Sequence, residues 1–245
     1  MPFNFDTMKK YELDYNILLQ NLNDVVIHIF NDKQLQQYYC HRWIEELKYA
    51  DNYLCNQIKN PNELKSLVNA INREPHFYKQ KIIFNSLNNS TDVYIFFRIS
   101  HLINILRKSE ESKRDKNVQY LSLKYLNSKE CKISWTYEDY DKNYVPSEEP
   151  IIICEFMDKY TSALVIDGNH RITYALNNNI ENIKAYFVSP TTIIYNHILA
   201  SKFEELIYIL KNEISLLYNV KKTQNYDDKK LASLSFLSNG KYNFA

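Results

Sequence analysis

Apolar positions recur at three- and four-residue steps through the first part of the chain. Leu13, Ile17, Leu18, Leu22, Val25 and Ile29 form one stripe and predict a helix over 8–30. Leu35, Tyr38, Tyr39, Trp43, Leu47 and Leu54 form a broader one and predict a second helix over 33–58. In "NPNELKSLVNAIN" Asn60 suits a cap and Pro61 the first helical position. Leu64, Leu67, Val68 and Ile71 then make the stripe of a third helix that ends before Pro75. "TDVYIFFRISHLINILR", residues 91–107, fits a strand or a buried helix, and its length favours the helix.

The charge-dense "RKSEESKRDKN", residues 107–117, breaks the pattern and reads as a linker or long loop. Beyond it the period shortens. "VQYLSLKYL" (118–126), "EPIIICEF" (149–156), "ALVID" (163–167) and "IKAYFV" (183–188) are short runs rich in β-branched residues and read as strands. "HRITYALNN" reads as a short helix. Residues 201–220 read as an amphipathic one, with Phe203, Leu206, Leu210, Ile214 and Leu217 along one side. The organisation expected is α+β: a helical region over 1–110, a sheet domain over 118–220 that ends in the amphipathic helix, and a loosely ordered polar tail over 221–245. No internal repeat is visible.

Composition narrows the function classes. Hydrophobic residues are 45%, charged residues 24% and the net charge +1. That balance lends no support to tight sequence-independent binding of nucleic acid, which draws on a basic face. Cys40, Cys55, Cys131 and Cys154 form no pair with zinc spacing and are expected to be reduced thiols. The N-terminus lacks the apolar segment of a signal peptide, and no run reaches the ~18 apolar residues of a membrane helix. The expectation is a cytoplasmic protein with no membrane partner; homo-oligomerisation is left open.

Glycine is the informative residue. The chain has two in 245 residues, against a usual ~7%. Gly240 lies near the C-terminus, and Gly168 sits in "VIDGNHRITYAL" between an apolar strand and a helix. A strand, a glycine turn and a helix N-terminus together aim backbone N–H groups at an anion. Gly168 permits a left-handed turn and close approach of a ligand. Arg171 in the first helical turn can bind phosphate bidentately, and His170 can donate a hydrogen bond or move a proton. Asp167 can hold a metal ion or cap the helix. The same residues also suit an ordinary Asp-Gly turn with a solvated His and Arg.

The residues 149–188 resemble the core of the ParB/sulfiredoxin-like superfamily, and "DGNHR" is similar to the motif of its DGQHR-domain proteins. The pattern is a strand beginning Pro-Ile, a hairpin, a second strand, a Gly-x-x-Arg turn opening a helix, and a last strand. Here these are "EPIIICEF", "MDKYTS", "ALVID", "GNHRITYALNN" and "NIENIKAYFV", with "LSLKYL" upstream resembling the opening strand. The resemblance covers about 118–190 and implies a mixed β-sheet. It implies a phosphate- or nucleotide-binding turn on Gly168, Asn169, His170 and Arg171, and places Asn179 where the family closes its short helix with glycine. Three departures are specific. Asn169 stands where sulfiredoxins carry their reactive Cys, so that chemistry is not expected. Thr173 stands where ParB proteins carry a further phosphate-binding Arg. No helix-turn-helix follows.

Other candidates are weaker in pattern. Glu138, Asp139 and Asp141 in "TYEDYDKNYVPSEEP" can ligate magnesium or supply a general base, or simply make a solvated loop. Glu155 faces either a ligand or the open side of the sheet, and His197 is expected to be structural or exposed. "YYCHRW" (38–43) interleaves aromatic and basic residues, as a base-stacking surface does, but at a spacing that also suits a core.

The expected function is therefore nucleotide binding, with ATP or CTP and magnesium as cofactors in a phosphotransferase or hydrolase. His170 and Asp167 are the catalytic candidates. Gly168, Asn169, His170, Arg171 and Thr173 are the phosphate-site candidates, and Asp167, Glu138, Asp139 and Asp141 the metal candidates. The alternative is a non-enzymatic DNA-associated or protein-interaction factor that uses the module as a scaffold.

Overall fold

The computed structural model describes residues 2–7, 9–25, 28–59, 62, 69, 76–86, 89–112, 118–157 and 161–244. In chain order its elements are β1 (Phe3–Asn4), β2 (Lys9–Lys10), α1 (Tyr15–Gln20), a π-helical turn (Asn21–Val25), α2 (Lys33–Lys59), β3 (Phe77–Asn85), β4 (Ser90–Arg98) and α3 (Ile99–Ser112). There follow β5 (Val118–Ser122), α4 (Leu123–Leu126), β6 (Ile133–Ser134), β7 (Ile151–Glu155), β8 (Ala163–Asp167), α5 (Asn169–Asn177), β9 (Asn182–Val188), α6 (Pro190–Tyr195), α7 (Lys202–Gln224), α8 (Asp228–Leu234) and α9 (Phe236–Asn239). The fold is α+β. Two compact units divide it, Met1–Arg98 with Leu199–Ala245, and Ile99–Ile198.

In the first unit β3 and β4 form an antiparallel hairpin in register from Phe77↔Arg98 to Asn85↔Ser90. Ile82, Phe84, Val93, Ile95 and Phe97 are buried on it, and Phe3 and Phe5 of the β1 segment pack with Phe96. α2 and α7 pack together, with Trp43, Leu47, Leu206, Leu210 and Leu217 buried. Over 203–214 α7 is buried nearly all round, polar residues included. Its Glu204 accepts the amides of Phe96 (2.9 Å) and Ala200 (3.2 Å). Its Glu213 accepts the Tyr39 hydroxyl (2.8 Å), the Ser235 hydroxyl (2.8 Å) and the Phe236 amide (2.6 Å).

Several elements differ from the sequence expectation. The helix expected over 8–30 is interrupted, because β2 and an extended stretch precede it. The Asp14 carboxylate then caps α1 by accepting the amides of Asn16 and Ile17. At the other end the side-chain oxygen of Gln36 takes the amides of Ile29 and Phe30 and holds them out of a helix. Residues 91–107 are not one helix. Thr91, Val93, Ile95 and Phe97 alternate inward as a strand, and the helical period begins only at Ile99. The 118–126 strand stops at Ser122, where Leu123 donates to the Glu181 carbonyl and α4 begins. Residues 221–244 are structured, with Leu231 and Tyr242 buried. The third helix, expected from Asn60 to Pro75, lies outside the described residues save 62 and 69.

The second unit holds a mixed five-stranded sheet in the order β5-β9-β7-β8-β6. β7 is central, parallel to β9 and antiparallel to β8, with an irregular register between Ile152 and Ile153. One face carries Ile151, Ile153, Val165 and Ala185, against which α5 sets Ile172 and Ala175. Ile152, Cys154, Leu164 and Ile166 are buried as well, so β7 and β8 read as unbroken apolar runs. α5 ends in a Schellman motif: Asn179 has φ 55°, its amide bonds the Leu176 carbonyl and the Ile180 amide bonds that of Ala175. Residue His197, which is exposed, takes the same left-handed position after α6, with φ 50°.

Among the described residues no helix is long and apolar enough to cross a membrane. Cys40, Cys131 and Cys154 are free thiols.

Candidate functional site

The turn between β8 and α5 is built around Gly168. Its φ of 100° is a left-handed conformation, which a Cβ strains. A Cβ there would also stand 2.8 Å from Cβ of Ile151 and closer still to its Cγ2. The scarce glycine therefore has a reason within the fold: β7 passes directly beneath the turn. Gly168 stands at the N-cap of α5 and, having no side chain, supplies no cap to its first amides.

Arg171 is a tie across the same crossing. It is 8% exposed. Its Nη2 meets Asp167 Oδ2 at 2.5 Å, and its Nη1 donates to the carbonyls of Glu149 and of Pro150, the latter at 3.2 Å. The guanidinium thus binds the end of β8 to the entry of β7. Its role here is to lock the turn, and its fork is already occupied where a phosphate clamp needs it open.

The segment 136–144 is strapped over α5. The Thr136 amide donates to Asn169 Oδ1 (3.0 Å), and the Glu138 amide to Thr173 Oγ1 (3.1 Å). Glu138 Oε2 lies 2.8 Å from Nδ1 of His170, whose side chain is 52% exposed. With the Nδ1 proton held toward the carboxylate, Nε2 of a neutral imidazole is the nitrogen left to accept a proton. Tyr140, Tyr144 and Tyr174 pack with ring centroids 5.4–5.8 Å apart, and Tyr144 lies 6.2 Å from the His170 ring. Burial raises the Tyr144 phenol above its usual range; Arg171 opposes that shift and Asp167 adds to it.

Asp167, Gly168, Asn169, His170, Arg171, Thr173 and Glu138 are thus brought together. Asp139 and Asp141 are not added to them: both are exposed, and Asp141 turns the strap by accepting the Asn143 amide. Asp167 is paired with Arg171 and Glu138 with His170. Among the described residues no group of three or more His, Cys, Asp or Glu is arranged to hold a metal ion. The residues present do not fit a protein-held magnesium ion, which needs carboxylates open to it.

Glu155 closes β7 opposite Ala163, four residues and about 13 Å along the strand from the turn. Its carboxyl is raised by burial and belongs to no arrangement at Gly168. In "YYCHRW" Tyr39, Cys40 and Trp43 are core, and Arg42 pairs with Glu45 and Glu46, which leaves Tyr38 and His41 outward. The strap tyrosines were not among the expected site residues: in a chain with 21 tyrosines they carry no signal of their own. No protein-family model, curated protein or solved structure matches the chain.

Proposed function

We propose that the Asp167–Arg171 turn binds a nucleotide through its phosphates, with ATP or CTP as the class of ligand. The observation that carries this reading is the left-handed Gly168 at the head of α5, an N-cap with no side chain of its own to take the first amides, beside an exposed, carboxylate-oriented His170. The amides of Asn169, His170 and Arg171 supply the cradle. Arg171 keeps the turn in shape and adds positive charge behind it. His170 Nε2 stands as the proton acceptor for a hydroxyl or water attacking a phosphoryl group, so the reaction class is phosphotransferase or hydrolase. Magnesium enters this reading only with the nucleotide, as phosphate counter-ion, and no step is assigned to it.

A second reading has its own observation: the Arg171 guanidinium is buried and already satisfied. That suits a structural turn in a non-enzymatic DNA-associated or protein-interaction factor.

Thermal denaturation against ATP, CTP, GTP and UTP, with and without magnesium, separates the two. A ligand at 100 times its Kd adds about 2.7 kcal/mol to stability. The nucleotide reading expects such a shift in the wild type, reduced in His170→Ala. No shift with any nucleotide overturns it and sends the search to salt-dependent DNA binding and partner capture.

A further inference from the structure

Beside the turn stands an aromatic cluster, Tyr140, Tyr144 and Tyr174. Tyr174 is one helical turn beyond His170 on the same face of α5. Tyr144 and Tyr140 reach it from the strap, at 5.8 and 5.5 Å between ring centroids. All three tyrosines are half-buried. Tyr144 also contacts the His170 ring and interacts electrostatically with both Arg171 and Asp167, which places it against the turn itself.

We infer that Tyr140, Tyr144 and Tyr174 form the platform on which the base of the bound nucleotide stacks. This rests on the nucleotide reading above and adds the part of the ligand that the turn does not touch. The rings are at direct-contact separations, so nothing fits between them as a cation fits in an aromatic cage. What they offer is an outer surface. His170 and Tyr174 are separated by about 6 Å along the helix axis. A ribose bridges that interval, from a phosphate at the α5 N-terminus to a base on Tyr174. The phenol oxygens of Tyr137 and Tyr140 already accept from Asn177 Nδ2, at 3.4 and 3.2 Å. The platform recognises by ring face, and all four common bases have one.

The test compares inorganic tripolyphosphate with ATP, GTP, CTP and UTP by titration calorimetry on the full chain. Base stacking strengthens binding about five- to 150-fold over tripolyphosphate. All four nucleotides are expected to show that gain, within about tenfold of one another. Tyr174→Ala is expected to abolish the gain and leave tripolyphosphate binding intact, and Tyr174→Phe to keep it. Tyr144→Leu repeats the test from the strap side, and cooperative melting of each variant certifies its fold. Equal affinity for tripolyphosphate and nucleotides in the wild type overturns the platform and spares the phosphate site. So does a gain that survives both Tyr174→Ala and Tyr144→Leu. Binding of neither ligand overturns the platform together with the nucleotide reading.

Discussion

Gly168 and Ile151 meet so closely that the glycine has no room for a side chain: a Cβ on residue 168 would fall within 2.8 Å of the Ile151 Cβ. Two costs coincide there, the contact and a φ of 100°. Gly168→Ala is expected to lower stability by about 2–4 kcal/mol, read from urea midpoints. Removing Cγ2 relieves part of the contact, so the same change is expected to cost less in an Ile151→Ala background. A double-mutant cycle measures that difference. Equal costs in the two backgrounds would mean that the Cγ2 contact adds nothing, and that backbone strain and the Ile151 Cβ account for the glycine.

Arg171 gives a prediction about stability as well. Its partner Asp167 has a side chain only 14% exposed, and two main-chain carbonyls depend on the same guanidinium. Arg171→Ala leaves all three without a donor and is expected to cost about 3 kcal/mol. Arg171→Lys restores one donor without the fork and is expected to fall between. Chemical denaturation of the three proteins checks the order. A stable Arg171→Ala protein would show that water satisfies these groups in its place.

Much of the fold was legible where one period runs from end to end. α2 buries Trp43 and Leu47 of its expected stripe, β8 is an unbroken buried apolar run, and α5 sets Ile172 and Ala175 on the sheet, so apolar residues mark each of them. The 91–107 run misled because a strand and a helix share it without punctuation; the period changes between Arg98 and Ile99 with no Gly, Pro or charge cluster to announce it. β3 was silent because Lys79, Lys81 and Asn85 of its outward row are as polar as any loop and Ile83 in that row breaks the alternation; its pairing with β4 is what makes it a strand. α8 and α9 were hidden for another reason. They are held by Leu231 and by Glu213 acting on Ser235 and Phe236, and a contact 22 or 23 residues away leaves no local period.

At the turn, scarcity made Gly168 legible, and the Asp-Gly-Asn-His-Arg order pointed to its neighbours. The partners of Arg171 were not legible, since the carbonyls of Glu149 and Pro150 are backbone groups that any sequence supplies. Nor was the pairing of Glu138 with His170. It depends on the strap lying over α5, which two side chains of α5 itself arrange.

Those two tethers can be released one at a time. Asn169 Oδ1 holds the Thr136 amide and Thr173 Oγ1 holds the Glu138 amide. Thr173→Val keeps the shape and removes the acceptor. Hydrogen exchange at Glu138 is then expected to quicken about fivefold, the effect of a hydrogen bond with a net strength near 1 kcal/mol. Asn169→Ala is expected to do the same at Thr136. Protection unchanged in both variants would show that the tyrosine cluster, not these bonds, holds the strap down.

The buried carboxyl of Glu204 predicts the pH dependence of stability. Burial pushes it up to about 8 from an ordinary 4.5, against the opposing hydrogen bonds from Phe96 and Ala200. The folded protein keeps this proton through the interval in which the unfolded chain has released it. The unfolded state therefore binds fewer protons between pH 4.5 and 8, and stability falls as the pH rises. Below that interval both states are protonated and the stability is fully present; above it both are ionised and the loss is complete, up to about 5 kcal/mol. Glu213, also raised by burial, acts with the same sign. Tyr11, the charge neighbour of Glu204, is itself raised by burial and stays neutral throughout. Glu204→Gln keeps an oxygen for the Phe96 and Ala200 amides and cannot ionise. Urea midpoints measured from pH 5 to 9 are expected to fall for the wild type and to fall less for Glu204→Gln, so that the two curves separate toward alkaline pH. Parallel curves would assign the decline to Glu213 or to the general charge balance, and would mean that Glu204 ionises without penalty.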